Sequence, residues 1–448
     1  MNRNKIFVFV LFSLCILFVN QITFGAIIHV PADQATIQAG IDAAKDGDTV
    51  LVSDGVYKGE GNVNINFKGK QITLKSQNGA TETIIDCEGR SDTRGFTFQN
   101  NEKSNSVIHG FTIKNGTHID GGGIYCKFAS PTIKKCIITE NSPGGGIYCD
   151  NSGAIIEGCT ISNNALNTWY GGSIYLTGEW IGQPSREKVS IVNCTISDNT
   201  GNGIVSTGYI TVEIIGCTVS NNSRVGIECL ASYSNHINLI AKSIIEKNQL
   251  GGIGVRENTL VKITESVIRD NTGEGGIFCS RTSSIDISEC IIANNKANRF
   301  GGGIYVHAML GYANISHTII TGNSAGLYGG GIYGTVSSNL TLTNSIVWGN
   351  SSDGTHDEVY ASGKKIVIQS CDIKGGINGL QRIADGVDLI YEDNINKDPL
   401  FVDVDRGDYR LRRNSPALGM GPQTNVGGAL SIVPLGKRLV MWADMKRK

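Results

Sequence analysis

Short apolar runs recur along the chain, separated by glycine and asparagine, and the pattern returns every 23 to 30 residues. GGGIYC at Gly121–Cys126 comes back as GGGIYC at Gly144–Cys149, GGSIYL at Gly171–Leu176, GGGIYV at Gly301–Val306 and GGGIYG at Gly329–Gly334. Weaker copies complete an isoleucine column at Ile124, Ile147, Ile174, Ile204, Ile227, Ile253, Ile277, Ile304 and Ile332. A second column of small residues runs out of phase, from Cys136, Cys159, Cys194 and Cys217 through Ser243 and Ser266 to Cys290, Thr318 and Ser345. Asparagine follows each of these five residues later, from Asn141 and Asn164 to Asn323 and Asn350.

Each repeat reads as two or three short β-branched strands, such as AIIEGCTIS and GGGIY, joined by Asn and Gly turns. A unit this short cannot bury its own face, so successive units must stack. Stacking as parallel strands puts equivalent residues about 4.8 Å apart, like upon like. The isoleucines then form an inner file, and the asparagines are expected at bends, in the left-handed conformation that Asn tolerates, with their amides hydrogen-bonded along the stack as an asparagine ladder. The spacing does not suit propeller blades of about 40 residues, and the leucine signature of leucine-rich repeats is missing. Ile37, Ile41 and Ala44 share one face of a short helix, expected to cap the open first coil and shield its edges. The predicted class is all-β: one parallel solenoid of about ten or more coils.

Composition agrees. Glycine is 58 of 448 residues and proline only 8, which excludes collagen-like and proline-rich disordered chains. A formal charge of −1 argues against a nucleic-acid or polybasic membrane-surface role. Arg3 and Lys5 precede an apolar run from Ile6 to Val19, the layout of a secretory signal peptide cut near Gly25 or Ala26. That run is short of the ~20 residues a membrane span needs. The reading is signal peptide over 1–25, cap and first coils over 26–110, repeats over 111–376, and closing segment with tail over 377–448. The product is expected outside the cytoplasm, extracellular or periplasmic, as a monomer without a membrane anchor.

On these columns the chain resembles the right-handed parallel β-helix, or pectin-lyase-like, superfamily of secreted bacterial proteins, over roughly Ile27 to Gly421. The opening VPADQATIQAGIDAAKDGDTVLVSDGVYKG and the closing DPLFVDVDRGDYRLRRNSPALGMG are similar to the ends of such proteins and, for the opening, to pectin methylesterases. The resemblance implies an extracellular polysaccharide as partner. It leaves the reaction open, because the DFIFG string of methylesterases, the NTD, GHG and RIK strings of polygalacturonases and the DPH string of alginate epimerases are absent.

Outside the signal segment eleven of the 12 cysteines remain. Strand alternation places Cys126, Cys149, Cys229 and Cys279 inside, with Cys136 and its column. Parallel neighbours sit farther apart than a disulfide allows, and Ser or Thr substitutes within the column, so buried thiols are expected. The same alternation turns Tyr125, Tyr148 and Tyr175 outward on consecutive coils, followed by Val205, Glu228, Gly254, Phe278, Tyr305 and Tyr333. This file, with Trp169, Trp180 and Tyr233 on longer loops, is the candidate carbohydrate-binding surface; aromatic neighbours that merely stabilise a sheet are the alternative. Where Glu228 and Gly254 interrupt it, Arg256 with Glu228, Glu257 or His236 could neutralise a uronate carboxylate and take its neighbouring proton, lyase-like or epimerase-like chemistry. A solvated ion cluster is the alternative. Asp398, Asp403, Asp405 and Asp408 are candidate calcium ligands, although their spacing matches no calcium loop. No cysteine–histidine spacing suggests another metal. The sequence thus carries two functions: binding, with cleavage or epimerisation, of an acidic polysaccharide, or a non-catalytic adhesion or spacer module.

Overall fold

The computed structural model describes residues 25–166, 171–179, 188–230, 237–308, 311–335, 338–354, 357–381 and 387–423. Three parallel sheets run the length of the molecule, of 15, 13 and 13 strands. The chain visits them in rotation, so through most of the molecule each strand pairs with the strand three steps on, and toward the end, where a short extra strand joins each coil, four steps on. The result is a parallel β-helix of about thirteen coils. Its first sheet opens with Ile27–Val30 and ends with Asp388–Glu392. Its second carries the Ile-Tyr strands, such as Ile124–Lys127 and Ile147–Asp150. Its third carries strands such as Ile137–Thr139 and Thr160–Ser162.

The isoleucine column is in register from coil to coil, Ile124 on Ile147 and Ile147 on Ile174, and every member is at most 1 % exposed. Burying each such side chain favours the fold by about 1.5–3 kcal/mol, a gain a single coil could not collect alone. The one helix, Ile37–Ala43, buries Ile37, Gly40 and Ile41. It lies within the first coil, between two strands of the first sheet, rather than as a separate lid. The amide of Gln38 exchanges hydrogen bonds with the backbone of Asn66 on the first strand of the second sheet.

The asparagines form the expected ladder but do not themselves carry the left-handed bend. Their side chains point inward as a buried ladder, each Nδ2 donating to the next Oδ1 at 2.9–3.2 Å from Asn141 to Asn350. The left-handed bend falls on the residue before: Glu140, Asn163, Asp198, Asn221, Lys247, Asp270 and Asn294, with φ of 55–58°. That residue turns the chain and faces out, which frees the asparagine to satisfy buried backbone groups such as the Val219 carbonyl. The ladder also explains the glycine before every column isoleucine but Ile174, which follows Ser173. A Cβ on Gly226 would stand 2.7 Å from Asn248 Nδ2, and one on Gly276 2.8 Å from Asn295 Nδ2.

The cysteine column forms a parallel file, in which Cys136, Cys159 and Cys194 each donate a backbone N–H to the next sulfur at 3.4 Å. All eleven described cysteines are free and buried, as expected. Burial pushes the Cys229 and Cys279 thiols up to about 12, so they stay protonated.

The asparagine ladder ends on a carboxyl group. Glu358 accepts from Asn350 Nδ2 at 2.7 Å and from the Gly349 N–H at 2.9 Å. Burial outweighs these donors and raises its pKa from 4.5 to about 7. The folded state therefore binds more protons than the unfolded chain between about pH 4.5 and 7, and stability falls as pH rises across that window, by up to about 3 kcal/mol. Denaturant titrations of Glu358→Gln should show this slope flattened; an unchanged slope would remove Glu358 as its source.

The third sheet's outer face changes character along its length. Thr160, Ser162, Thr195 and Ser197 give way to Ile291, Ile319 and Ile346. There the closing segment folds back: the antiparallel pair Phe401–Asp403 and Asp408–Leu411 places Phe401, Tyr409 and Ala417 over Ile319 and Ile346. Its carboxylates are engaged locally. Asp403 accepts from the Arg406 N–H, Asp408 pairs with Arg410, and Asp398 accepts from the Leu400 N–H. Among the described residues no group of three or more His, Cys, Asp or Glu is placed to hold a metal ion.

Candidate functional site

The outer file of the second sheet runs in register through Tyr125, Tyr148, Tyr175, Val205, Glu228, Gly254, Phe278, Tyr305 and Tyr333, and continues to Tyr360. The first three tyrosines are half-buried, with ring centroids 5.7 and 5.1 Å apart. Val205, expected to face outward, lies in the file but is fully buried. Trp169, Trp180, Tyr233 and His236 lie outside the described residues.

Below the buried Val205 the face opens into a cleft of about 940 Å³. Its floor is aromatic. Phe278 meets Tyr305 edge-on at 5.0 Å, and Phe300 stacks on Tyr333 at 4.6 Å. Its wall is charged. Arg256 donates from Nε to Glu228 Oε1 at 2.6 Å and from Nη2 to Glu274, while its guanidinium lies 4.3 Å over the Phe278 ring. Glu257 also lines the cleft but is turned to Arg281, at 2.6 Å, and not to Arg256.

The local sequence explains this arrangement. Glu228 can lie down only because the next coil has glycine at the same file position: a Cβ on Gly254 would stand 2.6 Å from Glu228 Oε2. Two residues further on, Arg256 reaches back to the carboxylate that Gly254 admits. Glu228 is 6 % exposed, and burial raises its pKa, with Glu274 adding to the effect and Arg256 opposing it. Arg256 is held between two carboxylates, so its charge is spent inside the protein before any ligand arrives.

Sequence reasoning brought Glu228, Arg256 and Glu257 to one cleft, but missed Glu274, Arg299, Phe300 and Tyr360. Glu274 sits in a glycine turn that reads as punctuation. Arg299 and Phe300 occupy the longer approach to GGGIYV, and Arg299 lies 5.0 Å over the Phe300 ring. Tyr360 falls in a coil where the glycine motif has degraded, so only coil counting could have found it.

The family described as "Right handed beta helix region" matches residues 72–239 and 229–373, most of the solenoid. The chain is a right-handed β-helix protein. Solved structures of similar shape include the A-module of the Azotobacter vinelandii mannuronan C-5 epimerase AlgE4, at 17% identity and TM-score 0.47, covering 83% of this chain and 94% of that one. They also include the PL6 family alginate lyase AlyGC, at 13% identity and TM-score 0.54, covering 93% of this β-helix chain and 58% of that one. A third is PfbA, a surface adhesin of Streptococcus pneumoniae, at 12% identity and TM-score 0.41, covering 80% and 87%. At these identities the likeness is one of fold. No protein of curated function matches the sequence. Among the described residues no helix of this β-helix protein is long and apolar enough to cross a membrane.

Proposed function

We propose that this right-handed β-helix protein is exported and binds an acidic extracellular polysaccharide along the outer face of its second sheet, centred on the cleft at Phe278 and Tyr305. The observation that carries this reading is the cleft itself: an open trough of about 940 Å³ with an aromatic floor and a charged wall. Clefts of this size with apolar linings and a few convergent polar groups are where ligands bind. Phe278, Phe300 and Tyr305 all line the trough, so a polymer has more than one ring to lie on.

Retention of an array of polyuronides and neutral glycans tests this. Phe278→Ala with Tyr305→Ala should weaken retention by about tenfold, the loss of two aromatic contacts. Undiminished retention would remove the cleft from consideration. A second reading, cleavage or epimerisation, is favoured by the raised carboxyl of Glu228. It requires Arg256 to release that carboxylate when a uronate arrives, and would be seen as unsaturated-uronate absorbance or altered product on the same array. Neither retention nor product would leave the adhesion or spacer role.

A further inference from the structure

At the other end of the same file stands an arginine with no carboxylate bound to it. Arg94 is 6 % exposed, and among the described residues its side chain has no hydrogen bond and no ion pair. Its contact is the face of Tyr125, with Cζ 4.6 Å from the ring centroid. Elsewhere the partly buried arginines are neutralised: Arg256 by Glu228 and Glu274, and Arg269 by Glu246. Arginine cannot shed its proton in a protein, so the charge persists. An unpaired buried charge is costly, and an aromatic face compensates only in part.

The position is specific. Arg94 stands two residues before the strand Phe96–Phe98, whose Thr97 is the register partner of Tyr125. Its guanidinium thus ends the run Tyr125–Tyr148–Tyr175. The other cation beside this run, Lys127, is already paired with Asp150. Burial, and then Arg94 itself, disfavour a charge on His118. Asp120 acts on Arg94 through space but makes no hydrogen bond or ion pair with it, so the guanidinium donors of Arg94 remain for a ligand.

We propose that Arg94 and the Tyr125–Tyr148–Tyr175 run form a second, anion-binding subsite, separated from the cleft by the coil of Val205, that takes a carboxylate or sulfate ester of an acidic glycan with a sugar ring on the tyrosines. This rests on the glycan-binding reading above but not on the cleft residues. Planar guanidinium suits either oxyanion in bidentate contact.

The test compares the wild-type chain with Arg94→Gln and Arg94→Lys, using a uronic-acid oligomer, a sulfated oligosaccharide, a neutral oligosaccharide and inorganic sulfate. Arg94→Gln should weaken at least one acidic oligomer by about tenfold and leave the neutral one unchanged. The acidic probe with the greater loss identifies the ester or the carboxylate as the ligand group. Sulfate should raise the Tm of the wild-type chain more than that of Arg94→Gln, and Arg94→Lys should fall between. Without ligand, Arg94→Gln should unfold at the same temperature as wild type or higher, since it removes an uncompensated charge. Equal affinity of wild type and Arg94→Gln for both acidic probes, with equal sulfate shifts, overturns the proposal. So does a lowered Tm with equal loss of the neutral oligomer, which would make Arg94 a structural support for Tyr125. Because Phe278→Ala with Tyr305→Ala is scored separately, failure of the cleft does not mimic failure at Arg94.

Discussion

Replacing Asn248 by alanine is expected to destabilise the solenoid by about 3–5 kcal/mol, among the largest single effects available in this chain. The side chain sits mid-ladder and is fully buried. Its Oδ1 accepts from both the backbone N–H and Nδ2 of Asn222, at 3.1 and 3.0 Å. Its Nδ2 donates to the Val219 carbonyl and to Asn271 Oδ1. Alanine strands two donors on one side and weakens two acceptors on the other. Each buried orphan costs about 1–3 kcal/mol. Amide hydrogen exchange is the measurement of choice, because a repeat array need not unfold as one unit. Exchange at the Asn222 amide should accelerate more than at Asn141, three coils away. A loss below about 1 kcal/mol would mean the ladder is ornamental.

Arg256→Met should cost about 3–5 kcal/mol at neutral pH, because it leaves Glu228 buried with its charge unpaired. Glu274, more than a third exposed, can turn to water and contributes little to the deficit. The pH dependence is the sharper part of the prediction. Glu228 already titrates above the usual carboxylate range through burial, and losing Arg256 raises it further. A folded pKa above the unfolded one means stability is retained at low pH and lost as pH rises through the folded value. The variant's deficit should therefore shrink on acidification, as Glu228 takes up a proton. Adding Glu228→Leu should restore most of the stability at every pH. Equal deficits in acid and at neutral pH would show that the pair is not the origin.

Much of this molecule could be read from the residues because stacking repeats each side chain's environment coil after coil. Ile124, Ile147 and Ile174 occupy one inner file, so their spacing in sequence is their spacing along the axis. Tyr125, Tyr148 and Tyr175 inherit the outer file by alternation alone. The asparagine ladder was legible for the same reason, but the left-handed turn falls one residue earlier, on Glu140, Asn163 and their equivalents, a shift that spacing alone does not reveal. The cleft was half legible for a related reason. Glu228 and Arg256 belong to the periodic strands, whereas Glu274, Arg299 and Phe300 come from turns of irregular length. Val205 shows the limit: alternation says which way a side chain points, not whether another segment covers it.

From the inner residue of the first sheet to the ladder asparagine the chain takes eight residues in coil after coil, Ile133 to Asn141, Ile191 to Asn199, Ile287 to Asn295. The other stretches vary: Asn199 to Ile204 spans five residues, Asn164 to Ile174 ten, Ile147 to Cys159 twelve and Ile174 to Cys194 twenty. Two corners of the triangle are thus locked by left-handed turns and inward hydrogen bonds, and all freedom of length borders the second sheet. The molecule is a fixed chassis with one editable rim. A transplanted loop, an affinity peptide or a new binding segment belongs there, where it would overhang the aromatic face without disturbing the frame beneath it.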